Sequence, residues 1–271
     1  DLAYAIINRI RMHYEVAGEG DPVLMINGLS APAANWGFQI KTLAGHFRVI
    51  TFDNRGVGET DLPPEPMYTM AQLADDAAAL LRHLEIARAH VVGASMGGTI
   101  AQELALRHPR LVRSLVLACS WAEADARFLH AVESWMALAY RVPVEERYRY
   151  VLYPWVFSPR FFEKKQNLET VFQRAMAYPH QTKPEAIERQ ARGILAWNGT
   201  RVPQLGAIRV PTLVLVGRED VLTPPEFSRT LAKLIRRARL AVLPGGHAFF
   251  IEEAETFNRT VLRFLRSVRA K

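Results

Sequence analysis

The sequence holds a single cysteine, Cys119, at the end of the apolar run SLVLACS. With no second thiol, an intramolecular disulfide is excluded, and packing alone has to hold the fold together. No reactive motif surrounds Cys119, so it reads as a buried structural thiol. No apolar stretch reaches the roughly 18 residues that a membrane span requires. Internal repeats, low-complexity tracts and long runs of one charge are also missing, which sets aside repeat arrays and disordered tails. The opening stretch DLAYAIINRIRMHYEV alternates apolar and polar residues like a strand pair. It lacks the apolar block and small-residue cleavage site of a secretory leader. These features together give the expectation of a cytoplasmic protein, a trimmed leader aside.

Lysine is scarce as well: six of the 34 basic residues are Lys and the rest Arg, for a net charge of +7. A nucleic-acid partner would call for a concentrated basic patch or a binding motif. Neither is present. Segments such as RTLAKLIRRARL carry their apolar residues at helical spacing, so their arginines read as solvated faces. No nucleic-acid partner is expected. Oligomeric state is left open by the sequence.

What is present is an ordinary globular composition, 49% hydrophobic and 23% charged over 271 residues. That length suits one large domain, or one with an inserted piece. PVLMING (22–28) is a fully apolar strand ending in a turn, and FRVITF (47–52), AHVVGAS (89–95), RSLVLAC (113–119), PTLVLVG (211–217) and RLAVLP (239–244) are further short, mainly apolar β-rich runs. Such runs suit strands buried on both faces of a parallel sheet. Helical patterns separate them. Thr69 followed by Gln72 forms a capping box that opens a helix over Met70–Leu84, and Met96–Arg107 is a second helix, stopped at His108–Pro109. Alternating strands and helices predict an α/β fold with a mostly parallel central sheet flanked by helices. The rhythm breaks over residues 121–198, which are helical and aromatic. These residues read as a helical cap, with 1–120 and 199–271 forming the core. Most of its aromatics, among them Trp135, Tyr153, Phe157, Phe161 and Phe162, are needed to bury the cap itself.

In sheets of this kind, chemistry sits beyond the carboxyl ends of the strands. Gly93-Ala94-Ser95-Met96-Gly97 lies between a strand and a helix, the context in which a serine is held on a strained turn above the sheet. The helix beginning at Met96 turns its N-terminal N–H groups toward the same place. A serine hydroxyl needs a base. Of eight histidines, His247 stands out, in the loop LPGGHAFF after the last strand. The base in turn needs an acid to hold its tautomer. Asp220, in VLVGREDVLTPP, is the expected partner, with Glu219 beside it as the competitor.

The order Ser95, Asp220, His247 resembles that of the α/β-hydrolase triad. DNRGVGETD is similar to the family's Asp-x-Arg-Gly-x-Gly-x-Ser loop, with Thr60 where Ser is usual. GHAFFIEEAETFN is similar to its Gly-His-x-x-x-x-Glu-x-Pro-x-x-Phe segment, with Ala254 where Pro is usual. Within the family the chain looks most like small serine esterases and 3-oxoadipate enol-lactone hydrolases. The resemblance implies a nucleophile at Ser95, an acid at Asp220 and a base at His247. It also implies an oxyanion hole from the backbone N–H groups of Met96 and Leu29. Asn27-Gly28 stands where the family usually has His-Gly. Trp36 is expected as a structural anchor, and Asn27, Gly28, Trp121 and Trp155 are the candidate pocket residues.

The expected activity is cleavage of a small carboxylic ester or lactone through an acyl-enzyme, without metal or organic cofactor. C–C bond hydrolysis and cofactor-free haloperoxidase or perhydrolase chemistry use the same residues. A small-molecule receptor on a hydrolase scaffold is the alternative of a different class.

Overall fold

The structure, a computed structural model, describes residues 2–268. Eight strands form one sheet: β1 (Leu2–Ile7), β2 (Ile10–Ala17), β3 (Pro22–Ile26), β4 (Arg48–Phe52), β5 (Ala89–Ala94), β6 (Val112–Ala118), β7 (Thr212–Gly217) and β8 (Ala238–Leu243). They lie in the order β1-β2-β4-β3-β5-β6-β7-β8. β1 with β2 and β2 with β4 run antiparallel. Every later pairing is parallel. The expected N-terminal strand pair and the expected mostly parallel α/β sheet are both present.

The inner strands β3 to β7 are almost wholly buried because their residues face one of two cores, whereas β8, expected to be buried on both faces, is the edge strand and leaves Arg239 and Leu240 exposed. Leu24, Ile26, Ile50, Phe52, Leu115, Leu117 and Val214 point to one face. Their neighbours Val23, Met25, Val49, Val116, Ala118, Leu213 and Leu215 point to the other. Full burial of one such side chain contributes about 1.5–3 kcal/mol. The first face is covered by α2 (Met70–His83) and α3 (Met96–Arg107). The second is covered by α1 (Gly37–Leu43) and, late in the chain, Ala254–Ser267. The Thr69 hydroxyl accepts the Gln72 N–H at 3.0 Å, the cap anticipated for α2.

Between β6 and β7 lie the inserted helices α4 (Ala126–Leu138), α5 (Val144–Glu146), α6 (Tyr153–Val156), α7 (Pro159–Glu163), α8 (Lys165–Ala177) and α9 (Pro184–Trp197). Arg147–Leu152 winds as a π-helix. Tyr153, Phe157, Phe161 and Phe172 form a small core of their own, and Ala248 joins it from the histidine loop. The chain closes through α10 (Pro225–Leu234), α11 (Phe249–Glu252) and α12 (Ala254–Ser267).

The strand order reverses between β3 and β5: from β3 the chain moves outward to β4, then returns to place β5 on the other side. The loops leaving β3 and β5 therefore diverge and open a crevice at this switch point.

Candidate active site

Ser95 stands at the crevice, between β5 and α3. Its φ of 55° and ψ of −122° are sparsely populated for a residue with a side chain. The flanking glycines make this turn possible. A Cβ on Gly93 would lie 2.2 Å from Gly97 O, and one on Gly97 would lie 2.1 Å from Ile26 O. Strand, turn and helix thus approach closer than any side chain permits. The Ser95 N–H donates to Ala118 O at 2.8 Å, which ties the turn to the end of β6.

The loop after β3 faces Ser95. A Cβ on Gly28 would be 3.2 Å from Ser95 Cβ and 3.7 Å from its Oγ. In this loop the Ser30 N–H donates to Gln190 Oε1 at 2.8 Å and the Ala31 N–H to Gly28 O at 3.3 Å. The Leu29 N–H has no acceptor among the described residues. Met96 is the first residue of α3, and the helix offers its N–H no acceptor. Met96 directly follows the serine, and Leu29 follows the Gly28 that packs against it.

Asp220, not Glu219, meets His247. His247 Nδ1 lies 2.9 Å from Asp220 Oδ2. A carboxylate only accepts, so the ring proton sits on Nδ1 and Nε2 is the basic nitrogen. The other oxygen of Asp220 accepts the N–H groups of Leu222 at 2.9 Å and Thr223 at 2.8 Å. Glu219 Oε2 is engaged elsewhere, with the Gly245 N–H at 2.7 Å. Both Asp220 and His247 are buried. Burial opposes a charge on the ring, but the Cys119 sulfur and the Asp220 carboxylate beside it favour one. The balance lies well above the ordinary imidazole value of 6.5.

The expected pocket residues separate. Gly28 faces Ser95. Asn27 is buried, and its amide donates to Pro32 O at 2.7 Å, so this side chain is used within the loop. Trp121 is fully buried and packs on Phe128 at 4.4 Å between ring centroids. Trp155 lines a cleft of about 260 Å³ with Trp135, Leu138, Tyr150 and Val151; Ser95 and His247 are not among its lining residues. Trp36 is fully buried against Phe250, as an anchor would be.

Three further residues, none of them among the expected site residues, shape the site. Gln190 holds the loop at Ser30 and donates to Arg55 O at 3.3 Å. Glu252 accepts the Gly246 N–H at 3.0 Å, the Ser158 N–H at 2.9 Å and the Ser158 hydroxyl at 2.5 Å. It joins the histidine loop to the inserted helices, alongside the Ala248 N–H donated to Val156 O at 2.7 Å. Thr223 places its hydroxyl against both Asp220 and His247. Glu252 was visible as the acid of the Gly-His segment, while Gln190 and Thr223 carried no comparable signal.

Residues 21–254 match the family described as alpha/beta hydrolase fold. One relative, from Variovorax paradoxus and named "Putative carbamate hydrolase RutD", is 35% identical over 96% of this chain and 97% of its own length. The solved enol-lactonase of Burkholderia xenovorans LB400 is 29% identical and superposes with a TM-score of 0.88, covering 98% of this chain and all of its own. A thermophilic esterase from Thermogutta terrifontis is 27% identical, with a TM-score of 0.85 over the whole of both chains. Sequence match, strand order and superposition agree over nearly the full length, and the chain belongs to the α/β-hydrolase fold family.

Proposed function

We propose that this hydrolase cleaves small carboxylic esters and lactones by acyl transfer through Ser95, His247 and Asp220. Ser95 Oγ attacks the carbonyl carbon as its proton passes to His247 Nε2. Asp220 stabilises the imidazolium that forms. Negative charge on the carbonyl oxygen falls toward the N–H groups of Met96 and Leu29, each worth on the order of a hundredfold or more in kcat. The imidazolium then protonates the departing alkoxide, and the alcohol leaves. A water molecule, deprotonated by the same ring, attacks the acyl-enzyme and releases the acid. These steps draw on no metal or organic cofactor. Residues 121–198 act as the lid over this site, held to it through Gln190, Ser158 and Val156.

The observation that carries this reading is the left-handed Ser95 at the head of α3 with the Gly28 backbone against it. A turn without chemistry gains nothing from such strain. A carbamate carbonyl is the second reading, favoured by the 35% identical relative and attacked by the same steps.

The test is a panel of short-chain nitrophenyl esters, lactones and carbamates, with fluorophosphonate labelling to locate the nucleophile. Wild-type turnover and labelling at Ser95 are expected, with kcat reduced by about 10⁴-fold or more in Ser95→Ala. No turnover across the panel, or turnover unaffected by Ser95→Ala, overturns the proposal and leaves a receptor as the reading.

A further inference from the structure

One buried group beside the proposed base takes no part in these steps. Thr223 has no exposed surface. Its hydroxyl oxygen lies 2.9 Å from Asp220 Oδ2, 3.0 Å from His247 Nδ1 and 3.0 Å from the Cys119 carbonyl oxygen. A hydroxyl has one proton and can accept through its lone pairs. The carboxylate and the carbonyl only accept, so the hydroxyl serves one of them at a time. The Nδ1–H only donates, and it lies within reach of both Asp220 Oδ2 and the Thr223 oxygen.

Two arrangements satisfy these constraints. When the ring is neutral, the carboxylate is the strongest acceptor within reach, and the hydroxyl donates to it. When the ring is charged, a hydroxyl turned to Cys119 O presents a lone pair to Nδ1–H. The receiving carbonyl is held in place: the Cys119 N–H donates to Leu215 O at 2.8 Å, and Cys119 itself has a φ of 43°. Left-handed backbone at a residue with a side chain accompanies functional sites more often than bland loops.

We propose that Thr223 is a positioning residue for the base. Its hydroxyl turns from Asp220 to the Cys119 carbonyl as His247 takes up the serine proton, giving the imidazolium a second acceptor at Nδ1. The proposal rests on the reading of His247 as the general base. Only the O–H bond rotates, and no proton leaves Thr223. The groups facing the ring are Asp220 and the Cys119 thiol. Glu219 and Glu252 are engaged with the Gly245 and Gly246 N–H groups of the same loop. Of these, only Asp220 loses a contact when the Thr223 hydroxyl is removed, and it keeps the Leu222 and Thr223 N–H groups and His247 Nδ1. The Thr223 N–H donates to Asp220 Oδ1 and is kept in the Val, Ser and Ala variants, and a hydroxyl that merely tied Asp220 to the Cys119 carbonyl would leave the His247 titration in place.

Thr223→Val keeps the shape and removes the hydroxyl, while Thr223→Ser restores it. In Thr223→Val, kcat should fall about tenfold or more, the range for losing a hydrogen bond to a charged group. KM should stay near the wild-type value, and the acid limb of kcat/KM should move to lower pH. Thr223→Ser should recover both kcat and the limb. A Val variant with wild-type kcat and pH profile overturns the proposal, as does a folded Ser variant as impaired as Val. The His247 ring titration, followed by NMR on the full chain, should move to lower pH in the Val variant, or in Thr223→Ala should Val not fold. A titration that stays in place overturns the proposal. That measurement needs no substrate, so a silent substrate panel would sink the proposed function while Thr223 is still judged.

Discussion

Gln190 Oε1 accepts the N–H of Ser30 at 2.8 Å, across 160 residues of sequence. The Thr182 hydroxyl donates to the carbonyl of the same Ser30 at 2.8 Å. Ser30 is itself left-handed, with a φ of 59°. The loop carrying Gly28 and Leu29 is thus shaped by the inserted helices as much as by β3. An oxyanion donor is effective only where it meets the developing charge, and a displacement of about 1 Å costs on the order of a hundredfold.

Gln190→Ala should therefore lower kcat by about tenfold or more, although Gln190 has no part in the proposed proton transfers. KM should change less than kcat. Steady-state kinetics on the best ester of the panel measure the split.

Activity should fall on the acidic side at a pH above 6.5. The sign follows from the ring: His247 must be neutral to accept the serine proton, and its titration lies well above the ordinary value. Below that point the ring carries a proton already and the base is lost. A pH profile of kcat/KM reads this limb in the free protein. An acid limb below 6.5 would show that burial outweighs the Asp220 and Cys119 contributions.

Removing the Glu252 carboxylate should loosen the histidine loop from the inserted helices. Glu252→Ala strands the N–H groups of Gly246 and Ser158, at about 1–3 kcal/mol for a buried unsatisfied donor. Ser158→Ala removes the hydroxyl's bonds to Glu252 and from the Phe161 N–H but leaves both N–H contacts to Glu252, and the Phe161 N–H keeps the Ser158 carbonyl, so its effect should be smaller. Thermal melts of the two variants give the order.

Arg55 and Asp76 form a buried pair, reinforced at Asp76 by Asn8 Nδ2 at 2.8 Å. Asp76→Ala leaves a buried guanidinium without its main partner and should cost about 3–5 kcal/mol. Denaturant unfolding measures it.

Much of this was legible because its determinants are local. The inner strands announce themselves as mainly apolar runs buried on both faces, and Met70–His83 by Thr69 and Gln72. Ser95 is marked by glycines at fixed distances, since the turn needs backbone contact on both sides of it. Asp220 is the expected acid with Glu219 as its competitor, and which neighbouring carboxylate reaches His247 depends on the turn after β7. Trp155 was read by composition alone, and folding places it on a cleft lined by the inserted helices rather than by Ser95. Gln190 sits in an ordinary amphipathic helix, where nothing local distinguishes a side chain that reaches another loop.

The sequence by itself determined the alternation of strands and helices, the strained serine turn, and the presence of an acid and a histidine after later strands. Those follow from periodicity, backbone sterics and residue type, which act within a few positions. Only the tertiary structure decided that Asp220 meets His247, that Gln190 holds the loop at Ser30, and that the Thr223 hydroxyl has three partners for one proton. Such contacts are set by which strand ends the sheet order brings side by side, and a hydrogen bond forms or fails within a few tenths of an ångström.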